Sequence, residues 1–360
     1  MTKYFMYLFA VILLLAGSDC KKNPVGPPPP NGSDTTSHAI SWYVDTLGAQ
    51  GYVNDVWVFA NNNVWAVGQI YLNDSTGKPD MSNPYNCAHW DGNKWALIKI
   101  PTALYGGSIY YASISTIFAF SENNIWTFCN AGSYSQWNGT AWKTEYVPAR
   151  SGGGNKLWGS TSSNLYLVGT NGSISHYDGS TWTQMNSNTI VDLQDVWGTD
   201  ANHIWATGTT VDYSRSIVLS FDGTNWTPIY DSATQPLKMQ FAFSSLWTDT
   251  KNDLWLAGGI PLQQLNLSSN TFTGITTGQA WPSSCIRGLS EKDLFIVGQD
   301  GECAHYNGLT WYLYPDLKAM NNGSALVLFL TVCPTQHFVA LGGQFFTGSN
   351  GFPVVIRGYR

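Results

Sequence analysis

The sequence is poor in charge. Only 11% of its 360 residues are Asp, Glu, Lys or Arg, and 17 basic side chains face 23 acidic ones, a net charge of −6. A protein that grips nucleic acid needs a basic face to neutralise phosphates, so that class of partner is excluded. No His/Cys spacing of the zinc type and no phosphate-cradling glycine motif occurs, so no metal or cofactor is expected. The apolar run at residues 4–16 is shorter than the ~20 residues that a bilayer-spanning helix needs. Cysteine is also sparse, with six residues.

Aromatic residues and glycine are plentiful instead: 17 Trp, 19 Tyr and 16 Phe make up 14% of the chain, beside 36 Gly. Abundant rings and glycines with little charge point to short strands and tight turns, and away from a coiled coil or a disordered tail. On length alone, about two domains of ~150 residues would be expected.

Fixed-period similarity overrides that expectation. A pair of aromatic residues eight positions apart, followed by a glycine stop, recurs along the chain: Trp57 and Trp65 with Gly68, Trp158 and Tyr166 with Gly169, Trp197 and Trp205 with Gly208, Trp247 and Trp255 with Gly258. Phe118 and Trp126 keep the spacing, Arg287 and Phe295 keep it with one departure, and Phe329, Phe338 and Gly342 read as a blurred seventh copy. The second half of each unit reads aromatic-Asp/Asn-Gly-x-x-Trp, as in Trp90-Asp91-Gly92 to Trp95 and Tyr306-Asn307-Gly308 to Trp311. Asp-Gly or Asn-Gly between apolar runs predicts a hairpin whose two central residues both have positive φ. The Asn- and Asp-rich stretch inside the aromatic pair predicts another.

Two hairpins per unit give four antiparallel strands, a to d. Seven such units arrayed radially make an all-β, seven-bladed β-propeller over residues 38–360. The last copy stops after strand c, at residues 353–359, while residues 39–47, with Trp42, form an orphan strand. Pairing the two would close the ring and remove two raw sheet edges. The repeated Trp residues are read as blade-to-blade packing. His89, His176 and His305 share one repeat position with Gln136, Ser220 and Asn266, which marks a structural polar slot rather than a ligand set. Cys87 and Cys303 are in non-neighbouring units, and Cys285 and Cys303 are held roughly 10 Å apart by an intervening strand, too far for a bridge.

Residues 1–20 form a signal peptide. The stretch Leu14-Leu15-Ala16-Gly17-Ser18-Asp19-Cys20 resembles the signal of bacterial lipoproteins, and that resemblance implies lipid attachment at Cys20. Residues 21–37, with Pro27 to Pro30 and a Gly/Ser/Thr tail, form a spacer. The Asp/Asn-Gly-x-x-Trp turn resembles the Asp-box of sialidases and of several non-catalytic propellers. In its pattern the chain is similar to the Trp-rich propeller lipoproteins of bacterial outer membranes, a resemblance that implies a cell-envelope location and carries no functional residue with it.

All variation in length falls in the b–c and d–a connections, which leave a blade on the same face, so that face is expected to bind. Its aromatic residues are Tyr71, Tyr85, Tyr105, Tyr110, Tyr111, Phe241, Phe243 and Trp281. The expected function is a lipid-anchored envelope scaffold that binds a protein or glycan there, without catalytic residues. The alternatives are an envelope glycoside hydrolase using Asp74, Asp80 or Asp231, or a structural subunit of a larger assembly. Two carboxylates converging at the centre would favour the hydrolase.

Overall fold

The computed structural model describes residues 35–147, 153–235, 242–320 and 327–360. The expected signal peptide, Cys20, most of the spacer and Phe241 lie outside these residues. The described chain forms seven four-stranded antiparallel sheets, the blades, plus one two-stranded hairpin. Blades 1 to 6 cover residues 50–98, 114–146, 154–185, 193–231, 245–275 and 283–313. In blade 7, Val327–Pro334, Phe338–Thr347 and Asn350–Tyr359 are strands a to c, and the N-terminal strand Ser41–Thr46 is strand d. Ser41 pairs with Tyr359 and Thr46 with Val354, so the ring closes as the orphan strand requires.

Each strand shows why its residues are where they are. Strand b is flanked by neighbours and covered on both faces, so Asn164–Gly169 and His203–Thr209 are buried almost throughout. Strand d borders solvent, and Trp142–Tyr146 accordingly alternates partly buried and exposed residues. The glycine that ends strand b is required by close approach. A Cβ on Gly208 would sit 2.0 Å from the Asp192 carbonyl oxygen, and one on Gly169 would sit 1.6 Å from that of Gly153. In blade 7 the residue in this relation is Gly343, 2.1 Å from the Leu328 oxygen. Gly342 pairs with Thr331, while Cys333 and Ala340 take the places of the aromatic pair. The seventh copy is thus shifted from the reading through Phe329, Phe338 and Gly342, because no tryptophan fixes its register.

The c–d turns also differ from expectation. Gly92, Gly139, Gly179, Gly223 and Gly308 have φ of +93° to +97°, but the preceding Asp or Asn does not have positive φ. Instead its side chain caps the loop: Asp91 Oδ1 accepts the backbone N–H of Asn93 and Lys94 at 2.9 and 2.8 Å. Asp178 does the same for Ser180 and Thr181, both at 2.8 Å. The motif needs a short side-chain acceptor followed by glycine, which is why Asp and Asn interchange there.

The polar slot on strand c has a matching partner at the start of strand b. His89, His176 and His305 place Nε2 2.9, 2.7 and 2.9 Å from Asn63 Oδ1, Asn164 Oδ1 and Asp293 Oδ1. Gln136 and Asn266 donate their amides to Asn124 and Asp253 in the same way. Of the five cysteines in the described residues, all free, Cys87, Cys129, Cys285 and Cys303 are buried and Cys333 is partly buried.

Candidate functional site

The site is built on strand a, the innermost strand of each blade. In six blades its pairing with strand b slips by one residue at the same place: Asn54, Ser115, Asn155, Gln194, Ser284 and Leu330. A bulge of this kind turns two consecutive side chains to the same side. Here the bulged residue and its successor both face the axis, lining a polar cavity of about 100 Å³ with pairs such as Asn54–Asp55, Asn155–Lys156 and Gln194–Asp195.

Three of these first residues, and Ser244 just before strand a of blade 5, tie their blade to the next. Asn54 Nδ2 donates to the Ile114 carbonyl at 2.8 Å, Ser115 Oγ to Gly154 at 2.9 Å, Asn155 Nδ2 to Leu193 at 2.8 Å, and Ser244 Oγ to Ser283 at 3.0 Å. Gln194, Ser284 and Leu330 make no such bond among the described residues. The second residues form a charged waist. Asp55 Oδ2 accepts from Lys156 Nζ at 2.6 Å, Thr116 Oγ1 at 3.0 Å and the Ile117 N–H at 3.0 Å. Its Oδ1 accepts from Thr331 Oγ1 at 2.9 Å and the Val56 N–H at 3.1 Å. Three blades on, the pattern repeats: Asp195 accepts from the Val196 and Leu246 N–H groups, Ser245 Oγ and the Arg287 fork. Burial pushes the Asp195 carboxyl up, yet the Arg287 guanidinium outweighs it and holds the group below the usual carboxylate range.

Two carboxylates therefore do converge at the centre, as a hydrolase would need, but they cannot serve one. Asp55 and Asp195 are 2% and 3% exposed, and every oxygen already accepts at least two hydrogen bonds. A general acid or base needs an oxygen that can reach substrate. The carboxylates considered from the sequence have other roles. Asp74 and Asp80 cap exposed turns through Thr76 and Ser82, and Asp231 accepts a bidentate pair from Arg215.

A larger pocket of about 510 Å³ opens at the b–c/d–a end of the ring, over blades 4 to 7, where Gln194, Ser284 and Leu330 make no carbonyl tie and Ser244 makes the one that remains. Gln194, Ser284, Leu330, Gln299, Pro282 and Tyr213 line it, and among the described residues that line it none is Asp, Glu, His, Lys, Arg or Cys. Tyr213 is 63% exposed. Of the aromatic residues expected to bind, Tyr85, Tyr105, Tyr110 and Tyr111 gather at blades 1 and 2. Tyr105 and Tyr110 belong to the extra hairpin formed by Thr102–Ala103 and Ile109–Tyr110, which packs on blade 2 through Ala103 N–H to Ser133 Oγ. Tyr105 lies edge-on to Tyr146 at 5.6 Å, and Lys99 Nζ sits 5.1 and 5.4 Å from the ring centroids of Tyr85 and Tyr111. Trp281 is exposed and adjoins Pro282 at the pocket.

Two residues in that group do not belong at a surface. Phe243 is fully buried, packed against Tyr230 and Phe272, and Tyr71 is buried at the end of strand b. Both stand within a residue or two of a strand limit, where pattern alone does not separate strand from connection. The waist is the converse case, polar residues inside strands. Asp55, Lys156 and Asp195 each stand two residues before the repeat aromatic, charged residues in buried strands, and that contrast is a readable signal. Arg287, the one departure from the aromatic pattern, completes the Asp195 pair.

No protein-family model and no curated protein sequence matches the chain. Solved structures do. YCF48 bound to D1 peptide superposes with a TM-score of 0.63 at 12% identity, over 92% of this chain and 99% of that one. YCF48 from Cyanidioschyzon merolae gives 0.61 at 12% identity over 88% and 98%, and the WD40 β-propeller domain of Doa1 gives 0.60 at 11% over 88% and 95%. These likenesses show the propeller fold.

Proposed function

We propose that the protein is a non-catalytic interaction scaffold of the bacterial cell envelope, held at the outer membrane by a lipid on Cys20, that binds a partner at its b–c/d–a face. The observation that carries this reading is the composition of the large pocket. Amide, hydroxyl and backbone groups beside Tyr213 and Leu330 can hydrogen-bond and cover an extended chain, and among the described residues no carboxylate, imidazole, amine or thiol lines the pocket to do acid–base work. The tyrosines of blades 1 and 2 supply a second contact area on the same face, of the kind that anchors partners.

A polypeptide partner is favoured over a glycan, since a propeller of similar fold is described with a bound peptide. Unpaired backbone groups of an extended segment would also suit the amides at Gln194 and Gln299. The test is parallel screening of the folded ectodomain on peptide and glycan arrays, followed by binding of each hit to the Gln299→Ala/Tyr213→Ala variant. At least ~10-fold weaker binding at unchanged melting temperature supports the reading. A ligand bound undiminished by that variant and by Tyr105→Ala/Tyr111→Ala would refute the face.

A further inference from the structure

At the opposite end of the channel, on the face of the standardised a–b turns, lies a second pocket of about 220 Å³. Its rim is apolar: Trp57 and Trp197 are partly buried and Leu289 is 41% exposed, with Val58, Phe118 and Pro334 beside them. Its inner end is the charged waist, since Asp55, Lys156 and Arg287 all border it.

The hydrogen-bond inventory of that waist is lopsided. The oxygens of Asp55 and Asp195 are fully engaged, as described above. The donors are not. An ammonium has three N–H groups, and Lys156 uses one, to Asp55. A guanidinium has five; Arg287 directs Nη1 to Asp195, Ser245 and two backbone carbonyls and one Nη2 bond to Asp195, and Nε–H has no partner among the described residues. The pocket therefore offers donors and lacks acceptors. Asp55 is the one carboxylate among the pocket's lining residues, and Asp195 lies behind Arg287; across the waist the two cations and two carboxylates balance, so a further full charge would enter uncompensated in a partly desolvated space.

We propose that this pocket is a binding site, distinct from the loop face, for one apolar residue of a polypeptide: an aromatic or branched aliphatic side chain against Trp57, Trp197 and Leu289, with an adjoining neutral backbone carbonyl accepting from Lys156 or Arg287. The volume supports a single residue, being below the ~300–1,000 Å³ of sites that enclose whole cofactors or drug-sized ligands. A carboxylate or an amine carrying the same apolar group is disfavoured, the first because both cations are already paired with aspartates and the second because the Asp55 oxygens are already engaged.

Cys333 lines the pocket and is the least buried of the described cysteines; burial pushes its thiol pKa up to about 11, so alkylation is run at pH 9, with titration calorimetry of the same probes as a second readout of occupancy. Folded protein is treated with a maleimide in the presence of N-acetyl-phenylalaninamide, N-acetyl-phenylalanine, phenethylamine or the pentapeptide acetyl-Gly-Gly-Phe-Gly-Gly-amide, and Cys333 modification is followed by mass spectrometry. The neutral amide should protect with a midpoint of ~1–10 mM, at least ~3-fold below both charged analogues, and the pentapeptide should protect at least as well. Leu289→Asp, a change at an exposed position, should abolish protection without altering the melting temperature. Equal protection by all three small probes, or none at 50 mM, or exclusion of the pentapeptide, would overturn the proposal. Arrays probing the loop face are unaffected by Leu289→Asp, so the two sites can fail separately.

Discussion

Arg287 of blade 6 reaches past blade 5 to meet Asp195 of blade 4, with N–O distances of 2.8 and 2.9 Å. The guanidinium lies 4.9 Å from the Trp197 ring centroid, so one side chain links three consecutive blades at the axis. Asp55, Thr116 and Lys156 make the same kind of span over blades 1 to 3.

Arg287→Met should cost about 3–5 kcal/mol, because it leaves Asp195 charged, buried and short of its principal partner. The urea midpoint of the variant measures this. Adding Asp195→Asn should recover part of the loss, since it removes the stranded charge; a double variant no more stable than the single one would contradict a charge-based cost.

The first and last residues of the propeller are latched to blade 6, which gives the fold a pH dependence. His38 Nδ1 lies 2.9 Å from His305 Nδ1, His305 Nε2 2.9 Å from Asp293, and the C-terminal Arg360 also pairs with Asp293. Burial, then the neighbouring His305, lowers the His38 pKa from 6.5 to about 4 against the opposing pull of Asp293. Between those values the unfolded chain binds the extra proton, so stability is full above pH 6.5 and falls toward pH 4. The loss is on the order of 2–3 kcal/mol. Urea titrations at pH 7.5, 5.5 and 4.0 should show it, and His38→Gln should flatten the dependence.

Removing residues 38–48 deletes the outer strand of blade 7 together with His38, whereas removing 21–34 touches neither. The first deletion should lower the melting temperature by at least ~10 °C or prevent folding, as expected when an entire strand and its burial of Trp42 are lost. The second should leave it unchanged. Equal melting temperatures would show that the ring does not depend on this closure.

Two aromatic substitutions separate surface from core. Tyr105→Ala/Tyr111→Ala alters exposed side chains and should change stability by less than about 1 kcal/mol. Phe243→Ala opens a cavity between Tyr230 and Phe272 and should cost about 3–5 kcal/mol. Denaturation of both variants decides the assignment.

The proposed envelope address rests on Cys20. Replacing it with alanine should move the protein from the membrane fraction to the soluble fraction on ultracentrifugation. Unchanged partitioning would assign any anchoring to a partner.

Seven blades, their four strands and the closing N-terminal strand are determined by the sequence itself. The reason is physical: most blades repeat the same ring contacts, the same glycine beneath a strand-a carbonyl, and the same capped turn, so the constraints recur at fixed spacing. Where the constraint is relaxed, in blade 7 without its tryptophans, the register is lost to inspection. The waist and both pockets were decided only in three dimensions. Asp195 and Arg287 are 92 positions apart, His38 and His305 are 267 apart, and no local pattern couples such residues. Strand a brings them together because a closed ring turns one strand of every blade toward a common axis, and the bulge then selects which side chains face it.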